Sequence, residues 1–78
     1  MQPIAIESTT LATIAYHGPT RLLQLEFRTG PVYHYFEVPS QIFEGLMQAT
    51  SKGTYFNRDI RGRFPYTLMS GVSRNDRT

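Results

Sequence analysis

The sequence predicts a small α+β domain. Three antiparallel strands, with a fourth if a short flanking segment also pairs, are followed by two short helices packed on one face of the sheet. Three observations carry this. Leu23, Leu25 and Phe27 alternate with Gln24, Glu26 and Arg28, the period-two pattern of a half-buried strand. Ile42, Phe43, Leu46 and Met47 recur at helical spacing. Between such segments stand His17-Gly18-Pro19-Thr20, Thr29-Gly30 and Val38-Pro39-Ser40, which break regular structure. A chain of 78 residues has room for one domain, near the lower size limit for a self-sufficient core.

The first strand is Leu11 to Tyr16, with Ile14 and Tyr16 on one face. Ile4-Ala5-Ile6 either extends it or pairs separately, and Ser8-Thr9-Thr10 makes a bend between the two. The second strand is the Leu23 alternation, and the third runs from Val32 to Val38. The loop joining these two decides where Tyr33 and Tyr35 point. A two-residue type I′ turn needs a positive φ at Thr29, which is costly for a β-branched residue. A three-residue loop, Arg28-Thr29-Gly30, needs it only at the glycine and ends in a bulge. That loop pairs Phe27 with Pro31, Leu25 with Tyr33 and Leu23 with Tyr35, so both tyrosines share the core face of the leucines. A slip of one residue would instead expose them.

Pro39 fits the first turn of the first helix, where a missing N–H costs nothing. Gly45 lies away from the apolar stripe and costs about 1 kcal/mol relative to alanine. The helix ends near Thr50, and Ser51 is a good N-cap for a second helix. Phe56 and Ile60 lie one turn apart on its inner side, with Tyr55 on the edge, and Gly62 suits the left-handed position after its end. Phe64 to Met69 is either a short edge strand or an extended arm. The domain spans residues 1–69. From Ser70 to Thr78 the hydrophobic pattern stops, as in a disordered tail.

The net charge of +2 is unevenly placed. Residues 1–50 set Arg21 and Arg28 against Glu7, Glu26, Glu37 and Glu44. Residues 51–78 set Lys52, Arg58, Arg61, Arg63, Arg74 and Arg77 against only Asp59 and Asp76. Arginine offers a planar fork of donors suited to phosphate, so the excess points to a polyanion partner. At 100° per residue, Arg58 and Arg61 point away from Phe56 and Ile60, with Thr54 and Asn57 sharing or flanking that outer face. With Lys52 and the first turn of the second helix they make a candidate phosphate surface. The same residues also serve as an N-cap and a solubilising helix face. The phosphate reading requires Arg58 and Arg61 to be free of internal ion pairs and Phe56 and Ile60 to be buried.

Tyr33, Tyr35 and Phe36 stack nucleobases if exposed and pack the core if buried. Phe36, Phe64 and Tyr66, left at the surface, would instead fit a protein-interaction module such as a homodimer or adaptor. His17 and His34 have no third ligand at a metal-site spacing, Ser51-Lys52-Gly53 lacks the upstream glycine of a phosphate loop, and no nucleophile elbow occurs. The expectation is therefore a domain without catalytic residues, metal or cofactor. The chain has no cysteine, which fits a reducing compartment. No apolar run approaches the ~20 residues of a membrane span. The opening Met1-Gln2-Pro3 lacks the charged start of a signal peptide, so a cytoplasmic protein without membrane contact is expected.

These residues together resemble one family. The opening Ser8…Ile14-x-Tyr16, the strand Leu23-x-Leu25-x-Phe27 and the central Tyr33-His34-Tyr35 followed by Val38-Pro39 fit it. So does the run Ser51-Lys52-Gly53-Thr54-Tyr55-Phe56-Asn57…Ile60-Arg61. Over roughly residues 8–66 the chain looks like a KTSC domain. That family takes its name from the C-terminus of some lysyl-tRNA synthetases, and it also occurs as small stand-alone bacterial and phage proteins. The resemblance implies an accessory domain for which RNA contact is suggested by the synthetase setting. It brings no catalytic residues to carry over.

Overall fold

The computed structural model describes residues 1–70. Five antiparallel strands lie side by side in chain order: β1 (Ile4–Ala5), β2 (Leu11–His17), β3 (Leu22–Phe27), β4 (Val32–Tyr35) and β5 (Tyr66–Ser70). Helices α1 (Ser40–Gln48) and α2 (Lys52–Tyr55) lie between β4 and β5 in sequence and pack on one face of the sheet. The α+β class and the two helices on one face are as expected, and the strand count among the described residues is five rather than three or four. The additional strands are the two edges. Two-residue β1 pairs Ile4 with Ile14, and the segment after Phe64 is a strand, not a loose arm. Ser70 closes β5, and the rest of the expected tail, 71–78, lies outside the described residues.

The β3–β4 connection follows the three-residue geometry. Gly30 has φ 120°, the Phe27 amide donates to the Pro31 carbonyl at 2.9 Å, and Leu25 faces Tyr33 while Leu23 faces Tyr35. Leu23 and Leu25 are fully buried and Tyr35 is 5 % exposed. In β2, Leu11 and Ile14 are both fully buried although three residues apart. A bulge between Leu11 and Thr13 inserts one extra residue against β3 and returns Leu11 to the core face. The bend before it is made by the Ser8 Oγ, which accepts from the amides of Thr10 and Leu11.

The third strand is shorter than its sequence suggests. It ends at Tyr35 because Glu37 takes a left-handed φ of 63°. That kink sends Val38 inward, where it is fully buried and its amide donates to the Arg21 carbonyl. The Val38 carbonyl accepts from the Tyr16 hydroxyl, whose ring stacks on Phe43 at 4.7 Å. Pro39 stands at the N-cap of α1, one position ahead of the first turn. The stripe Ile42, Phe43, Leu46 and Met47 packs on the core, with Leu46 fully buried.

Gly45 serves a contact that helical periodicity does not show. A Cβ there would collide with the Tyr55 hydroxyl and lie 2.8 Å from its Cζ, so the glycine lets α1 and α2 approach. The Tyr55 hydroxyl donates to the Ile42 carbonyl at 3.1 Å, which fixes the ring in this notch. Gly45→Ala is therefore expected to destabilise the domain by about 1–3 kcal/mol despite alanine's better helix propensity. In a Tyr55→Ala background the same change should become stabilising by up to about 1 kcal/mol. Urea unfolding followed by circular dichroism reads the sign, and destabilisation of equal size in both backgrounds would contradict the contact.

Candidate nucleic-acid interface

The chain leaves α1 and reverses into α2 at Ser51, whose Oγ accepts from the Thr54 amide at 3.2 Å. Helix α2 then widens into a π-helical turn, Phe56–Ile60, closed by the Arg61 amide donating to the Phe56 carbonyl at 2.8 Å. This turn is anchored from below: Phe56 is 7 % exposed and Ile60 fully buried. Gly62, at φ 77°, then turns the chain away, as expected of the position after a helix end. Single π turns inside helices are often found at functional sites.

Thr54, Asn57, Arg58, Arg61 and Arg63 are all exposed around this turn, whereas Lys52 is half-buried. The hydrogen bonds separate their roles. The Lys52 Nζ donates to the carbonyls of Met47 at 3.1 Å and Ala49 at 2.9 Å, closing the C-terminus of α1. Two of the three donors of its ammonium are thus held by the fold. Thr54 is held by the cap, its Oγ1 accepting from the Ser51 hydroxyl. The cleft beside Ser51 and Gly53 is lined by Arg28 and Glu7, and Arg28 is bound to the carbonyls of Ser8 and Ile6 at 2.8 and 2.6 Å.

Arg58 departs from the free outward guanidinium that the sequence predicts. Its Nε and Nη2 donate to the Asp59 Oδ2, both at 2.8 Å, and its guanidinium carbon lies 5.6 Å from the centre of the Tyr55 ring. The pair is solvent-exposed, so it holds the arginine only weakly. Arg61 has no acidic partner among the described residues. Its Nη1 donates to the Asn57 Oδ1 at 3.3 Å. Arg63 donates from Nε to the Arg58 carbonyl at 2.9 Å, which stabilises the end of the turn.

The aromatic residues divide between two faces. His34 and Phe36 stand on the uncovered side of the sheet, where Phe36 is 39 % exposed and the His34 ring bonds Gln24 at 2.8 Å. On the helix side, Tyr35 is core and Tyr33 is half-buried. Phe64 also packs half-buried on the core. The sequence marks Tyr66 only as a surface aromatic, because the segment after Gly62 has no strong periodicity. Pairing of β5 sets it opposite Tyr35, with its ring 5.5 Å from Tyr35 and 5.6 Å from Tyr33. These rings, with Phe27 and Phe56, line an open groove of about 540 Å³ that Asn57, Arg61 and Gly62 also border.

Burial, followed by the neighbouring phenols of Tyr33 and Tyr66, pushes the Tyr35 hydroxyl up to about 12, against the opposing pull of Arg61. The folded state therefore holds this proton more tightly than the unfolded chain. Tyr35 should leave stability unchanged below about pH 10 and lower it progressively as pH rises from about 10 toward about 12. Denaturant midpoints across that range test this. In a Tyr35→Phe variant the alkaline loss should be smaller, and an identical loss would contradict the assignment.

Among the described residues, no group of three histidine or acidic side chains is placed to hold a metal, and no helix is long and apolar enough to cross a membrane. Residues 7–64 match the KTSC domain model. The chain is 39 % identical over 64 residues to a lysine–tRNA ligase of Nostoc punctiforme, a match covering 82 % of this chain and 11 % of the ligase. An uncharacterized protein of Stutzerimonas stutzeri is 33 % identical over 58 residues, covering 74 % of this chain and 82 % of that protein. The crystal structure of a KTSC domain protein from Yersinia pestis superposes with a TM-score of 0.86 at 30 % identity, covering 88 % of this chain and 97 % of that one. The chain thus spans about a tenth of the length of the ligase it matches and nearly the whole of the small proteins. With its cap, its π turn and its tyrosine pair all inside the matched span, this chain belongs to the KTSC domain family.

Proposed function

We propose that this domain is a non-catalytic module of the cytoplasm that binds RNA through its arginine-bearing turn. The observation that carries the reading is the arrangement of Arg58, Arg61 and Arg63. Arg58 is exposed on a turn whose opposite side, Phe56 and Ile60, is fixed in the core, and Arg61 and Arg63 are exposed directly after it. Rigid presentation matters because a side chain held on a packed element loses less freedom when it meets a ligand. Arg61 contributes most, having no competing carboxylate among the described residues, while Arg58 must exchange Asp59 for a phosphate. The related ligase acts on tRNA, which favours RNA over other polyanions.

Fluorescence anisotropy with a short labelled single-stranded RNA, repeated over a series of salt concentrations, tests the proposal. Affinity should fall linearly on a log–log plot, with a slope of about −0.7 per phosphate contacted. Absence of binding at low salt, or affinity independent of salt, would overturn it.

A further inference from the structure

The groove beside this turn is a different kind of surface from the arginine rim. Its floor is Tyr35, which is 5 % exposed, and its open wall is Tyr66, which is 60 % exposed although its ring contacts two others. Tyr33 completes a triangle of rings, 6.2 Å from Tyr35 and 5.6 Å from Tyr66, which is 5.5 Å from Tyr35. Asn57 and Arg61 also line the groove. A volume of about 540 Å³ falls in the ordinary range for small-ligand sites.

The geometry points to this groove as a site for an unstacked nucleobase of single-stranded RNA, held against Tyr66 and Tyr33 while Arg61 meets the adjoining phosphate. The inference rests on the RNA-binding reading above and specifies what part of the RNA is held, and where. An occupant with both an aromatic face and a negative charge matches both walls. A purely apolar peptide would leave Arg61 without a counter-charge, and an inorganic anion would leave the tyrosines uncovered. Asn57 keeps an amide able to donate to a base edge while its Oδ1 accepts from Arg61. Duplex RNA offers its bases already stacked, so the groove selects single strands or loops.

The test uses the full 78-residue chain with a short oligouridylate RNA and the same oligonucleotide carrying abasic sites. Base stacking on an aromatic side chain is worth roughly 5- to 150-fold in affinity. The intact RNA should bind better than the abasic one by about that factor and should shift the ring resonances of Tyr33 and Tyr66. Tyr66→Leu, which keeps an apolar residue in β5, should erase the difference between the two RNAs, and Tyr66→Ala should do the same. Arg61→Ala should weaken both RNAs alike. If intact and abasic RNA bind equally to the parent while Arg61→Ala still weakens both, the groove assignment is overturned and RNA binding stands. Contacts from residues 71–78 to the Tyr66 and Tyr33 rings in the free protein would also overturn it. If neither RNA binds at low salt, both proposals fall.

Discussion

Replacing Ile60 with alanine is expected to destabilise the domain by about 2–5 kcal/mol, the range for removing a branched aliphatic side chain from a packed core. Ile60 is fully buried and belongs to the same cluster as Leu23, Leu25, Leu46 and Phe56. A domain of this length has a total stability of only about 4–12 kcal/mol, so one such cavity removes a large share of it. The loss falls on the site as well as the fold, because Ile60 closes the π turn from which Arg58 and Arg61 project. Chemical denaturation followed by circular dichroism should show a clear drop in midpoint with the slope retained. A loss below about 0.5 kcal/mol, the range for surface positions, would mean that the turn is not anchored as described.

The arginines should behave in the opposite way. Arg58→Ala with Arg61→Ala is expected to leave stability within about 1 kcal/mol, since both side chains are exposed and the Arg58–Asp59 pair is a surface ion pair. RNA binding should weaken by roughly 10–30-fold near ~0.1 M salt, and the salt slope should become shallower by about 1.4, for two lost phosphate contacts. The loss should appear with every RNA sequence tried, because phosphate contacts carry no sequence information. Asp59→Asn has the reverse sign: it removes a negative charge and releases Arg58, so binding should tighten. Unchanged affinity in the double variant, or weaker binding by Asp59→Asn, would contradict the assignment of these residues.

What the sequence made legible, and what it left hidden, follows from the range of the interactions involved. The β3–β4 register was readable because a local argument about φ at Thr29 and Gly30 determines it. The α1 stripe, the Ser51 cap and Gly62 were readable for the same reason, each depending on residues within about one helical turn. Contacts made across the fold left no such trace. The bulge that returns Leu11 to the core is visible only once β3 is beside it. Gly45 looked like a cost until Tyr55 was placed against it. The edge strands β1 and β5 were ambiguous because one is two residues long and the other begins just after a proline, where local patterning is weak.

The candidate site was legible in part. Helical spacing puts Arg58, Arg61 and Asn57 on or beside the outer face, and all three are exposed. The pairing of Arg58 with its sequence neighbour Asp59 was not foreseen, because residues one apart on a helix do not ordinarily face each other. The groove was not foreseen either. It exists because Tyr66 returns from the end of the chain to lie opposite Tyr35, a pairing between residues 31 positions apart in sequence.

The most direct measurement is an amide-resolved NMR titration of the chain with short single-stranded RNA at low salt. Shifts should concentrate at Asn57, Arg58, Arg61, Gly62 and Arg63, extend to Tyr33 and Tyr66, and fade as salt is raised. Shifts centred instead on His34 and Phe36, on the uncovered face of the sheet, or no shifts at saturating RNA, would contradict RNA binding through this turn.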